Sequence, residues 1–514
     1  MKCTTHRITR DLNLGVLVLG VAGTAQAQYV PPPSTQPFAG FINEALRQED
    51  PYLSVWDIGG VERVRFEDHE GYSIAGVPGS PAKPNNDFRS QGADIYNAYW
   101  LSRFRLHVGY TGKWWSAYVE GRSSLVAGDD RFAYANVPAV PGTVRKQGDG
   151  PEADGIDLQQ AYVTLGNHKE FPVSLKVGRQ ELSYGEERLV GAFAWNNIGR
   201  VFDAARLRWQ NEWFAGDFFS SRVVIPEDGR FNVNNDYDWF SGAYLTSPKI
   251  PGNTLEVYFL ARNASPKAAA AEPNPQFPQP SARDIYTIGG RLKSLPGEWH
   301  GFDYSLEGAY QFGDYRDPRF VESGKSPRLD HQAFMVAVQG GYTFTGAWGT
   351  PRLGVEYDYA TGDSQPTNST HGTFENLFPT NHKFYGSMDL VSLQNIHDAG
   401  VSLTLKPIPR VSVAFLGNAF WLADTQDNFY TVAGAPRGGI GSTPHNGFGI
   451  NPGYSSFVGT EFTAIAGLAV SRWIQFEAGY GHFFAGNYLR QTWSAPGFGA
   501  RDADFSYLQL NVLF

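Results

Sequence analysis

The sequence is poor in the residues that many other protein classes depend on. It has one cysteine, Cys3, among 514 residues, and charged residues make up 18% against a usual ~25%. A single cysteine excludes internal disulfides and cysteine-based zinc clusters. Lysine and arginine are spread along a chain of net charge -9, which excludes the basic stripe that nucleic-acid binding requires. We therefore expect no nucleic-acid partner.

Long apolar runs are also missing. No stretch after residue 27 reaches the ~18 consecutive apolar residues of a membrane-spanning helix. The short run Leu12–Ala22 follows Lys2 and Arg7 and precedes Ala25-Gln26-Ala27, which has the small-x-small form of a signal peptidase site. The sequence therefore predicts a Sec signal peptide over residues 1–27, with Cys3 removed during export.

Glycine and aromatic residues, by contrast, are abundant, with 58 glycines and 15% aromatics. From residue 55 onward the main pattern is apolar and polar residues in alternation over about ten positions, typical of strands with one apolar face. Phe104 and Leu106 share one face of such a run, while Arg103 and Arg105 share the other. Eighteen such runs predict eighteen strands.

The connections between these runs alternate strictly between long and short. In an up-and-down antiparallel barrel, every second connection emerges at the same rim. The sequence therefore predicts an all-β fold: a transmembrane antiparallel barrel of about 18 strands over residues 55–514, with short periplasmic turns and long extracellular loops. Residues 28–54 are predicted to form a periplasmic leader that enters the barrel mouth.

Two further features favour the outer membrane of a Gram-negative bacterium. Aromatic residues near strand ends, among them Trp100, Tyr118 and Trp213, suit the girdles that meet lipid headgroups. Leu508, Leu510 and Val512 alternate toward a terminal Phe514, which resembles the signal read by the barrel assembly machinery. We expect outer-membrane lipid and this machinery as partners.

Strand parity assigns side chains to the lumen, because a charge facing lipid costs ~2–4 kcal/mol near the midplane. Arginine binds carboxylate and phosphate through paired hydrogen bonds, so an inward excess of arginine suits an anion pathway. The alternative is that these charges form ion pairs that brace the wall. The pore-lining candidates are Arg103, Arg105, Arg122, Arg206, Arg208, Arg291, Lys293, Arg352, Glu120, Glu307 and Glu356.

Three blocks of sequence carry a family resemblance. The first runs from Val177 to Gly191 and continues through Trp195-Asn196-Asn197 to Asp203; the others are Tyr357–Asp363 and Asn376–Lys383. Together they resemble the alginate-export-type outer-membrane barrels. The resemblance implies an 18-stranded barrel whose arginine-rich constriction passes an anionic uronate polysaccharide.

Within the first block, Arg188 and Arg200 are hypothesised to fold inward. The expected partners are Glu186, Glu187 or Asp203, and the alternative role of both arginines is to fix the loop to the wall.

The favoured function is passive passage of an anionic polysaccharide or oligosaccharide. A general or small-solute porin is the alternative, and an outer-membrane enzyme is a weaker one, because no Gly-x-Ser-x-Gly or His-Glu-x-x-His motif is present. His107 and His331 are isolated in sequence. The clustered oxygen ligands of Asp149, Glu152, Asp154 and Asp157 could hold calcium, but these residues lack the spacing of an EF-hand loop, and a solvated loop is the favoured interpretation. We expect no enzymatic activity, no cofactor and no metal.

Overall fold

The computed structural model describes residues 38, 40–72, 87–91, 95–129, 151–167, 169–226, 231–268, 282–316, 327–437 and 444–514. The predicted signal peptide, the leader up to residue 37, and Asp149 lie outside the described residues, as do parts of several long loops. Within the described part of the chain, no helix has the length and apolar character that crossing a membrane requires.

Nineteen strands form one sheet, and the sheet closes on itself. Eighteen of them pair antiparallel with their neighbours, and closure comes from pairing the first strand with the last, from Val61 opposite Leu513 to Glu70 opposite Asp504. Closure leaves no unpaired strand edge, which is the condition for a sheet in lipid. The strands are β1 (Trp56–Glu70), β2 (Tyr96–Thr111), β3 (Trp115–Ala127), β4 (Asp154–Leu165), β5 (Val173–Gln180), β6 (Phe202–Gln210), β7 (Ala215–Ile225), β8 (Val233–Ser247), β9 (Asn253–Ala264), β10 (Arg283–Ser294), β11 (Phe302–Arg316), β12 (Arg328–Thr343), β13 (Arg352–Ala360), β14 (Thr370–His371), β15 (Ile396–Ile408), β16 (Val411–Leu422), β17 (Phe457–Ala469), β18 (Ile474–Ala485) and β19 (Ala503–Leu513).

The predicted fold class is confirmed, with one addition. The two-residue β14 pairs parallel with β12 and belongs to the connection 361–395, so the barrel wall has eighteen long strands. The long connections all leave from one rim and the short turns from the other. In the described parts of the chain the helices are α1 (Phe41–Glu49) and α2 (Asn487–Thr492), and single 3-10 turns cover Pro51–Val55 and Asn381–Lys383.

Alternation along the strands separates an apolar outer face from a polar inner face. On β2, Phe104 and Leu106 are 40% and 47% exposed, whereas Arg103 is 5% exposed. Tyr118 is an exception to the predicted aromatic girdle. It is buried between His107 and Tyr162, with ring centroids 5.3 Å away in each case. Because Tyr118 shares parity with Glu120, it lies on the inner face, and its assignment to a girdle was wrong.

The core of the protein lies inside the barrel rather than outside it. Several long connections fold back into the lumen, and their apolar residues pack against the inner wall. Phe378 of the connection 361–395, for example, contacts Phe202 on β6 and Phe240 on β8, with centroids 5.2 and 4.8 Å apart. The lumen is therefore constricted by its own loops.

At the short-turn rim, the segment before β1 packs on the seam where the barrel closes. Asn43 of α1 donates through Nδ2 to Asp57 Oδ1 at 2.9 Å. Phe38 packs edge-on against the inward-facing His107, with centroids 4.9 Å apart. A Cβ added at Gly40 would clash with the carbonyl oxygen of Phe514, so only glycine allows this close approach.

Candidate functional site

The structure places all eleven wall candidates on the inner face of the barrel, but most of them are paired. Arg105 contacts Glu181 at 3.2 Å and Glu120 at 3.6 Å. Arg208 and Arg206 contact Asp217 at 3.0 and 3.8 Å, and Lys293 contacts Glu186 at 2.8 Å. Three more basic candidates pair as follows: Arg122 with Asp154, Arg291 with Glu256 and Glu186, and Arg352 with Asp303.

Two of the acidic residues considered for calcium are engaged by other groups. Asp154 pairs with Arg122, and Asp157 Oδ2 accepts a hydrogen bond from the backbone N–H of Asn232 at 2.6 Å. Within the described residues, no group of three or more metal-ligating side chains has a geometry that could hold an ion.

Four arginines on β1 and β2 form a buried basic patch, defined here as Arg63, Arg65, Arg103 and Arg105. Arg63 donates to the carbonyl oxygens of Ala194 at 3.0 Å and Asn196 at 3.2 Å. Arg103 donates to the same two carbonyls at 2.8 and 3.1 Å. Uncharged peptide carbonyls thus occupy guanidinium donors that would also suit anionic oxygens.

The carbonyls that meet the patch belong to the motif loop, residues 181–201, which joins β5 to β6. Trp195 in this loop lies between the guanidinium of Arg65, 3.8 Å from the ring centroid, and the stacked ring of His382 at 3.8 Å. Desolvated cation–π contacts of this kind contribute up to ~2 kcal/mol. The loop is thus held against the basic wall at its tip.

His382 belongs to a second inner loop, residues 361–395, which is joined to the motif loop by backbone pairing. The N–H of Phe378 donates to the carbonyl of Leu189 at 3.0 Å, and the N–H of Gly191 donates to the carbonyl of Phe378 at 2.8 Å. Arg200 adds a third tie, donating to the carbonyl of Pro379 at 2.8 Å. The two loops therefore form one body inside the barrel.

Arg188 folds inward, as the sequence predicts, but its partners are different from those expected. Its Nη1 lies 2.7 Å from Asp358 Oδ2 on β13, and its Nε lies 3.5 Å from Glu307 Oε2 on β11. Nη1 also donates to Tyr385 Oη at 2.9 Å. Pairing with Glu186, Glu187 or Asp203 was wrong for Arg188, because the loop crosses the lumen to the opposite wall.

Asp203 and Glu186 also bind residues other than Arg188 and Arg200. Asp203, at the start of β6, is bound by Arg179 at 2.9 Å. Glu186 contacts Arg291 at 3.1 Å and Lys293 at 2.8 Å. Burial alone would raise the pKa of the Glu186 carboxyl, but the nearby cations, Arg291 first, outweigh burial and lower this pKa to about 2. Glu186 is therefore a charged anchor of the loop at neutral pH.

On β13, β15 and β17, away from the basic patch on β1 and β2, four carboxylates form an acidic arc, defined here as Glu356, Asp358, Asp398 and Glu461. Apart from Asp358, these groups are held by neutral donors. Asn418 donates to Glu356 and Asp398 at 3.1 Å, and the backbone N–H of Ser387 donates to Glu461 at 2.6 Å. The lumen is therefore electrically polarised, and the motif loop matches it, with carbonyls toward the basic patch and Arg188 toward the acidic arc.

The candidate list omits several of these residues. Arg63 and Arg65 alternate with Val64 and Phe66 just as Arg103 and Arg105 alternate with Phe104 and Leu106, so strand parity would have selected them. The neighbours of Asp398 are His397 and Ala399. These two residues are not apolar enough to show which face of the strand points outward, so the sequence does not assign Asp398 to the lumen. No local signal in the sequence pairs Arg188 with Asp358, which lies 170 positions away.

The described surroundings of His107 and His331 give these histidines structural contacts rather than a catalytic arrangement. His107 Nε2 lies 3.6 Å from Asp57 Oδ1 at the short-turn rim, and its ring packs between Phe38 and Tyr118. His331 Nδ1 lies 3.0 Å from His371 Nδ1, a contact that fastens β14 to β12. In both places the histidine holds a loop or terminal segment against the wall.

A closed antiparallel barrel with an apolar outer face and a polar lumen defines the class: an outer-membrane β-barrel of the porin-like channel type. The sequence model of the alginate export family matches residues 84–496. The chain belongs to the alginate export family, which confirms the resemblance of the three sequence blocks and places the protein in the Gram-negative outer membrane.

Solved structures with the same architecture include OccAB1 of Acinetobacter baumannii, at 11% identity and a TM-score of 0.52, covering 89% of this chain and 96% of that one. OpdL of Pseudomonas aeruginosa has 11% identity and a TM-score of 0.50, covering 89% and 99%. At this identity the similarity shows the fold alone. None of the curated proteins matches the chain.

Proposed function

We propose that this outer-membrane channel passes an anionic polysaccharide or oligosaccharide through the lumen. The observation that carries the proposal is the basic patch on β1 and β2. Guanidinium groups bind carboxylates through two parallel hydrogen bonds, whereas the carbonyls of Ala194 and Asn196 are uncharged acceptors. A substrate carboxylate is the stronger partner and can compete for the same donors.

The family supports the same conclusion, because its description is alginate export, and alginate is an anionic polymer. Passage requires that binding be weak enough for release. The carboxylates near the patch, Glu67 against Arg65 at 2.6 Å and Glu181 against Arg105 at 3.2 Å, temper its attraction for anions. We further propose that the chain is exported by the Sec route and is not an enzyme.

Planar-bilayer recording under a potassium chloride gradient tests the proposal. We expect a reversal potential of the sign that indicates anion preference, and block by added oligouronates. The double variant Arg63→Gln/Arg103→Gln should weaken both effects. Arg208→Gln is the matched control, because Arg208 pairs with Asp217 away from the patch. Cation preference of the unmodified channel at neutral pH would overturn the proposal.

The second candidate function is a small-solute porin. It is favoured by the acidic arc, where Glu356 and Asp398 are bound by Asn418 rather than by a cation. A lumen with both signs of charge suits small solutes that carry both. Conductance that oligouronates leave unchanged, while small zwitterions permeate, would favour this second function.

A further inference from the structure

A partly open cavity of about 470 Å³ lies inside the barrel between the wall and the inner loops. Its volume falls in the ~300–1,000 Å³ range of small-molecule sites. His69 and Tyr99 line it on the wall side, and Trp195, Asn376 and Asn381 line it on the loop side. His69 is the next-to-last residue of β1, so the cavity lies toward the long-loop rim of the lumen.

Several charged groups in the lining already contact other side chains. Glu67 is bound by Arg65 at 2.6 Å and accepts from Tyr99 at 2.7 Å. Asp389 Oδ2 lies 2.8 Å from His382 Nδ1, and Asp87 pairs with Arg437. Contacts with other side chains therefore already occupy much of the charge in the lining.

What the lining does offer is unused hydrogen-bonding capacity. Six of its residues each carry a buried polar atom that has neither a hydrogen-bond partner nor an ion-pair contact among the described residues: Tyr72 Oη, His69 Nδ1, Asn376 Oδ1, Asn381 Oδ1, Asp389 Oδ1 and Arg437 Nε. Native structures rarely leave such atoms unpaired, because each costs ~1–3 kcal/mol. The terminal torsions of Asn and Asp are soft, so a ligand in the cavity can draw these oxygens toward itself.

The chemistry of these atoms narrows the ligand class. Three of the six, on Asn376, Asn381 and Asp389, are oxygens that only accept. A carboxylate or phosphate group has no hydrogen to donate to them, and the Asp389 carboxylate would repel it. A hydroxyl group donates and accepts, so a polyhydroxylated molecule can satisfy these oxygens and also the remaining atoms of Tyr72, His69 and Arg437.

We propose that this cavity binds an uncharged, hydroxyl-bearing sugar unit. The proposal rests on the proposed function, in that the lumen carries saccharides. It adds that hydroxyl groups bind at a separate site, distinct from the basic patch that binds negatively charged groups. A polysaccharide with both charged and uncharged units would thus be recognised by its charge at the basic patch and by its hydroxyl groups at the cavity.

Isothermal titration calorimetry on the purified full-length protein in detergent tests this site, with mannotriose as the neutral probe. We expect saturable binding that the double variant Asn376→Ala/Asn381→Ala weakens by roughly 10- to 30-fold, since each lost hydrogen bond is worth about a factor of 5. Asn418→Ala is the matched control, being a buried lumen asparagine outside the cavity, and should bind as the unmodified protein does.

Tyr72→Phe removes one hydroxyl without changing shape, so it serves if the double variant fails to fold; we expect it to weaken binding about fivefold. Absence of mannotriose binding, or binding that neither variant weakens, would overturn the site. This outcome is separate from the bilayer result. An anion-preferring channel that does not bind mannotriose contradicts only the cavity, and a cation-preferring channel that binds it contradicts only the proposed function.

Discussion

Replacing Arg188 with alanine should release the inner loops from the acidic side of the lumen. Arg188 is buried, and its guanidinium holds Asp358 at 2.7 Å, Tyr385 at 2.9 Å and Glu307 at 3.5 Å. These are the contacts that tie the motif loop to β11 and β13. The wall itself does not depend on them, because the strands are joined by their own backbone hydrogen bonds.

Breaking a buried ion pair on one side costs ~3–5 kcal/mol, since the other charge is left buried and unpaired. If all of this acts on loop docking, the ratio of docked to undocked loops falls by roughly 10²- to 5 × 10³-fold. Arg188→Ala should therefore raise single-channel conductance in planar bilayers and expose the motif loop to protease. The barrel itself should stay folded, as judged by heat-modifiable migration in gels.

Two further variants sharpen the test. Adding Asp358→Asn to Arg188→Ala removes the orphaned carboxylate, so the pair should recover part of the docking that the single variant loses. Arg352→Ala is the matched control, since its partner Asp303 also lies on the wall, and it should leave conductance unchanged. If Arg188→Ala conducts and resists protease like the unmodified channel, the loop is not held by these contacts.

Three other outcomes follow from the structure. The pKa of Glu186 is lowered to about 2 in the folded protein, below its unfolded value of ~4.3, so its contribution to folding stability, up to about 3 kcal/mol, should be lost as pH falls from ~4 toward 2. Glu186→Gln should lack this part of the pH dependence of thermal unfolding. Identical pH profiles for the variant and the unmodified protein would refute this. Gly40→Val places a Cβ against the Phe514 carbonyl and should lower the unfolding temperature, whereas Gly346→Val, in open space, should not; equal effects would argue against a packed seam. Leu106→Arg puts a charge on the outer face of β2 and should cost ~2–4 kcal/mol in urea unfolding from liposomes, more than Leu106→Ala; an equally mild effect would place Leu106 away from lipid.

The barrel could be predicted from sequence because its signal is local and repeated. On β2 every second residue faces lipid, so the assignment of Arg103 and Arg105 to the inner face needs only the neighbours Phe104 and Leu106. The alternation of long and short connections then orders the strands without any long-range information. The wrong assignment of Tyr118 came from weighing its residue type over its parity with Glu120.

The interior of the lumen could not be predicted in the same way. The sequence identifies the motif loop and predicts that Arg188 points into the lumen. The partner of Arg188, however, depends on how far the loop reaches across the barrel. Asp358 and Glu307 lie on strands that are distant in sequence, and alternation says nothing about which inner residues a loop will meet. The same is true of Arg63, whose bond to Ala194 spans 131 positions.

The most direct test of the account is flux of a defined oligouronate into liposomes that contain the purified protein. We expect the oligouronate to enter faster than a neutral oligosaccharide of the same length, and Arg63→Gln/Arg103→Gln to reduce this advantage. Entry of the neutral sugar alone, or of neither molecule while small cations pass freely, would contradict an anion-selective saccharide channel.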